Sequence, residues 1–116
     1  MIGSGLYEVE VEGKTIGFQF GMLASMYTEE KSGQSIYDIF KEIAQARIKP
    51  ILFYFMGGAM DYNEYHEIKE PVTLADIAST IESIGVEKAL EIYSKSIGSP
   101  LTKNGQAPKT AGQVEG

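Results

Sequence analysis

The 116 residues contain no cysteine and only one histidine, His66. Without thiols there is no disulfide framework, no thiolate nucleophile and no cysteine metal site, and nothing calls for an oxidising compartment, so a cytoplasmic life is the expectation. Positive charge is also scarce: ten Lys and Arg stand against sixteen Asp and Glu, for a net charge of −6. That sign opposes phosphate backbones and anionic lipid surfaces, which bind clustered Lys and Arg, so neither nucleic acid nor membrane is expected as a partner. Long apolar runs are missing too. The most apolar stretch, KPILFYFMGGAMDYNEY, is uninterrupted only from Pro50 to Met60, about half of the roughly 20 residues a membrane-spanning helix needs. The opening MIGSGLYEVEV lacks a basic segment followed by an apolar run, so it does not read as a signal peptide.

What is present reads as one domain of α+β class, mostly α: a hairpin packed on four to five helices over residues 1–97, followed by a flexible tail over 98–116. LYEVEV and TIGFQF alternate with period two, and Glu12-Gly13-Lys14 offers a glycine for the reversal between them, which predicts a β-hairpin over about 6–20. Two strands are marginal alone, so the hairpin must lie on helices. Met22, Leu23, Met26 and Tyr27 recur at helical spacing as far as Gly33. Ser35 stands before the stripe Ile36, Ile39, Phe40 and Ile43, with Asp38 in the capping-box position. Pro50 is expected to end or kink that helix and to open the next, about Pro50 to Tyr62 or beyond, in which Gly57-Gly58 allows a bend or a close helix approach. Asp61 to Pro71 reads as a polar connection. Thr73 then caps a helix with the stripe Leu74, Ile77, Ala78, Ile81 and Ile84; Gly85 separates it from a last helix striped by Val86, Ala89, Leu90, Tyr93 and Ile97, with Glu91 and Lys95 paired. From Gly98 the chain is rich in glycine and polar residues and reads as a tail that buries little.

No catalytic machinery is legible. His66 lies in D-x-x-E-x-H-E beside Asp61, Glu64 and Glu67, yet a catalytic zinc usually takes three ligands at matched spacing, commonly with two histidines, so no metal and no cofactor is expected. Ser35 and Thr73 are explained as helix caps, no serine sits in a G-x-S-x-G elbow, and neither glycine cluster has the Walker lysine or Rossmann spacing. VEKALEIYSKS after Gly85 has no Arg, Asn or Gln to read base edges. A non-enzymatic protein is expected.

The order EVEVEGKTIGFQFGM, then TEEKSGQSIYDIFKEIAQ, then an apolar aromatic helix, spanning about Leu6 to Ile97, resembles the tail assembly chaperones of long-tailed bacteriophages. The helix start from Gly33 to Phe40 carries much of the likeness and is not an active-site motif. The resemblance implies a protein that binds the tape-measure protein during tail building and helps recruit tail-tube subunits, in the host cytoplasm, sometimes with a longer form made by translational frameshifting. A structural phage protein, such as a head–tail connector or tail component, and a small ligand-binding or regulatory domain stay open beside it. The run Ile51 to Met60 is expected to form core first. Because Phe53, Tyr54, Phe55 and Met56 point in successive directions around a helix, more than a domain this small readily encloses, its overflow, with Met60 and Tyr62, is the candidate surface for a client or a homo-oligomer.

Overall fold

The computed structural model describes residues 6–98; the expected tail after Gly98 lies outside the described residues. An antiparallel hairpin, β1 (Leu6–Val11) and β2 (Lys14–Gln19), leads into five helices: α1 (Met22–Ser32), α2 (Ile36–Ala44), α3 (Ile48–Tyr65), α4 (Leu74–Ile84) and α5 (Val86–Ser96). This is the expected hairpin on a helical body. Val11 pairs with Lys14, leaving a two-residue turn in which Glu12 and Gly13 both have positive φ, as a type I′ reversal requires. The register sets Tyr7 opposite Phe18 and Val9 opposite Ile16, so one face of the ribbon carries the apolar side chains into the core.

Helix α3 is the axis of the molecule, packed by α1, β2, α2 and α4. It starts two residues before Pro50, which therefore sits in its first turn, where a missing N–H costs nothing. Pro50 does not end α2. That helix stops earlier, at Ala44: Ala46 takes positive φ, its N–H meets Ile43 O at 2.8 Å and the Arg47 N–H meets Glu42 O at 3.2 Å, the paired bonds of a Schellman motif. The far end of α3 corrects the sequence reading as well. The helix runs beyond Tyr62, as its expected bounds allowed, and Asp61 to Tyr65 are helical rather than the start of the expected Asp61–Pro71 connection. No breaker interrupts them, and the turn comes only at Glu67, with positive φ and with the Ile68 N–H on Asn63 O at 2.8 Å. The local caps match their sequence signals: Ser35 Oγ accepts the Asp38 N–H at 3.0 Å and Thr73 Oγ1 the Asp76 N–H at 3.1 Å.

Aromatic side chains tie the layers together. Phe55, fully buried, meets Phe18 edge to face with ring centroids 5.2 Å apart, and Tyr54 stacks on Phe20 at 4.9 Å and meets Tyr93 of α5 edge to face at 5.2 Å. Such pairs contribute about 0.5–1.5 kcal/mol each beyond area burial. The Tyr54 hydroxyl is satisfied in the core. Ser96 Oγ donates its single proton to Tyr93 O at 2.7 Å, so the Tyr54 phenol donates to Ser96 Oγ, also at 2.7 Å. Burial pushes the Tyr54 phenol up to about 12.

Candidate functional site

Of the six residues named as candidates for a partner surface, the structure buries Tyr54, Phe55 and Met56, in keeping with the core-first reading of this run, and leaves Phe53, Met60 and Tyr62 half-buried. The first three are removed from any surface this fold presents, because the elements around α3 cover it from several sides at once. Tyr62 is occupied within the chain. Its ring lies over Gly17, where a Cβ would fall inside the ring, and its hydroxyl donates to Glu8 Oε2 at 2.7 Å, a bond that raises the phenol's pKa. Tyr62 thus locks the hairpin to α3. The His66 ring lies beside it, centroids 4.2 Å apart and planes tilted by 38°. Among the described residues no cluster of three His, Asp or Glu side chains is placed to hold a metal ion.

The exposed apolar surface is elsewhere, on α1. Met22 is 85% exposed, Met26 49% and Leu23 38%, so the stripe that announces this helix in the sequence points outward. The inward face is Ala24 and Thr28, both fully covered. The reason is the closeness of α3. A Cβ on Gly57 would collide with Thr28 Oγ1 and the Ala24 carbonyl, so the two backbones approach more closely than methionine side chains between them would permit. Thr28 Oγ1 donates to Ala24 O at 2.8 Å, which satisfies that buried hydroxyl. The sequence signal for this orientation was Gly57 itself, a residue that selects small partners on the facing helix.

Helix α1 is also held by a cap from outside itself. Its N-cap residue, Gly21, has no side chain to offer, and no acidic residue occupies its first turn. Asp61 of α3, only 3% exposed, supplies both functions: one carboxylate oxygen accepts the Gly21 N–H at 3.1 Å and the Ala24 N–H at 3.0 Å. The other oxygen accepts from Gln19 Nε2 at 3.5 Å. A single buried carboxylate therefore satisfies two amides at a helix N-terminus and places negative charge at the positive end of the helix dipole. This tethers β2, the α1 start and α3 at one point, and the sequence reading missed it by placing Asp61 in a connection.

Beside α1 the surface continues into a shallow groove of about 170 Å³, lined by Tyr27, Met60, Ile68 and Val72 with Glu64 and Glu70. The Tyr27 hydroxyl donates to Glu64 Oε1 at 2.5 Å, which raises the phenol's pKa and fixes the carboxylate at the groove's edge. What this side of the molecule can do is noncovalent: it offers flexible apolar side chains on a rigid helix, adjoining an apolar groove with carboxylates at its margin. No described helix is long and apolar enough to cross a membrane. Set against protein-family models, curated proteins and solved structures, the chain finds no match in any of the three.

Proposed function

We propose that this protein is a non-enzymatic assembly chaperone of the phage-tail kind that its sequence resembles, binding the tape-measure protein through the exposed face of α1 and helping to recruit tail-tube subunits to it. The observation that supports this reading is the outward stripe Met22, Leu23 and Met26. Methionine side chains are unbranched and polarizable, so they repack around different apolar contours, a property suited to transient holding of a client. The stripe stands on a helix immobilised by the Asp61 cap and the Gly57 seam, so little order has to be imposed when a client binds. A negative net charge keeps such a surface soluble while it is free.

The test is co-expression with the tape-measure protein encoded in the same gene neighbourhood, followed by retention on a tagged copy of this chain. Met22→Glu combined with Met26→Glu is expected to leave the melting temperature within a few degrees, because both side chains are exposed, and to abolish retention. A folded double variant that retains the client as well as the parent chain refutes the surface. A parent chain that retains no tape-measure protein refutes the function.

A further inference from the structure

We propose that the groove beside α1 takes a basic amphipathic helix, with an apolar side chain seated between Met60, Ile68 and Val72 and a Lys or Arg of the same helix meeting Glu64 and Glu70. The inference rests on the chaperone reading and deepens it by naming the chemistry of the client segment. The groove is built by the end of α3. The Schellman turn at Glu67 reverses the chain so that Ile68 returns beside the helix it has just left, and Asn63 Nδ2 then holds the following irregular segment through Glu70 O at 3.3 Å. Its volume, about 170 Å³, is close to the roughly 150 Å³ that accommodates a benzene-sized group, which suits one aliphatic or aromatic side chain.

Charge selects the occupant. Two carboxylates line the groove and no Lys or Arg does, among the described residues. Tyr27 occupies Oε1 of Glu64 and so orients the carboxylate with its other oxygen still available to accept a hydrogen bond. On α1, Leu23 lies one turn before Tyr27 on the same side of the helix and extends the apolar path away from the groove. Glu30 and Lys31, both exposed, stand one turn beyond Met26 and Tyr27, and Lys69 is exposed between Ile68 and Glu70. The margin therefore sets Glu30, Glu64 and Glu70 against Lys31 and Lys69 and is acidic in balance. An apolar path of more than one helical turn bordered by carboxylates fits the apolar face of a helix whose flanks are cationic. An acidic helix would bury the same apolar area and meet like charge at the groove's edge, and a neutral one would gain nothing from the carboxylates.

Two designed helical peptides test this, one with a leucine face flanked by lysines and one with the same leucine face flanked by glutamates, each followed by fluorescence anisotropy with the full chain. The leucine–lysine peptide is expected to bind at least tenfold more tightly. Glu64→Gln with Glu70→Gln is expected to reduce that preference about five- to tenfold, whereas Glu82→Gln with Glu87→Gln, on α4 and α5, leaves it unchanged. Ile68→Asp removes binding of both peptides. Equal binding of the two peptides, or an equal loss from the remote Gln pair, overturns the proposal, since binding would then be independent of charge or of the groove. Self-association lost in Ile68→Asp would also overturn it, by assigning the groove to a second copy. Retention of the tape-measure protein without binding of either peptide rejects this groove and leaves the chaperone function standing, while peptide binding without retention does the reverse.

Discussion

Replacing Asp61 with alanine removes three acceptor contacts at once, those to the N–H groups of Gly21 and Ala24 and to Gln19 Nε2. Hydrogen bonds to a charged acceptor contribute about 1.5–3 kcal/mol each, and a buried donor left without a partner costs about 1–3 kcal/mol. The 3.5 Å contact to Gln19 lies at the outer limit of a hydrogen bond and is counted as nothing. The two backbone donors differ: Ala24 N is buried, whereas Gly21 is exposed and its amide can turn to water. Part of the gross gain is offset by the cost of burying the carboxylate, which the variant no longer bears. The expected net loss is about 3 kcal/mol, above the roughly 0.5–2 kcal/mol of an ordinary N-cap. Asp61→Asn keeps one acceptor oxygen of the same reach and is expected to lose only about 1–2 kcal/mol. Urea denaturation gives both values, and amide exchange at Ala24 and its neighbours shows whether the loss begins at the α1 start. If Asp61→Ala lies within 1 kcal/mol of the parent chain, or if the Asn and Ala variants are equally destabilised, the carboxylate is not acting as the cap of α1 and the reasoning fails.

Gly57→Ala should destabilise by about 2–3 kcal/mol in calorimetry: the alanine gains about 1 kcal/mol of helix propensity, but its Cβ runs into Thr28 and the Ala24 carbonyl. A stabilised variant would show that the α1–α3 seam has slack. Alkaline pH should weaken the fold in a defined window. An unfolded tyrosine titrates near 10, whereas burial holds Tyr54 up at about 12 and shifts Tyr93 in the same direction. Between those values the unfolded chain releases a proton that the folded chain retains, so stability present below pH 10 is lost as the pH rises towards 12, by about 2–3 kcal/mol for Tyr54 alone. Tyrosinate absorbance followed alongside chemical denaturation checks this, and a Tyr54→Phe chain with an unchanged pH slope would contradict it.

The hairpin, the Ser35 and Thr73 caps and the succession of helices were legible in the sequence because each depends on residues a few positions apart. Alternation places Ile16 and Phe18 on one face, a hydroxyl reaches an amide three residues on, and glycine accepts the positive φ at Gly13 and Gly85. The sequence alone also showed that residues 51–60 had to be enclosed, since an all-apolar helix has no face for water. Which face of α1 turns inward was not available from its own pattern. Helical spacing reveals a stripe without saying what the stripe meets, and Met22, Leu23 and Met26 outweigh Ala24 and Thr28 in any hydropathy reading. Gly57 reverses that preference only once α3 lies against α1, because close backbone approach rewards small side chains and expels long ones. The same holds for Asp61. Forty residues separate it from the Gly21 amide it accepts, and a charged residue beside Tyr62, Asn63 and Glu64 looks like the start of a polar connection until the tertiary fold carries it to the end of another helix. Tertiary structure alone could decide whether that carboxylate faces water or a row of unpaired N–H groups, since a charge is stable in the interior only where such donors already converge.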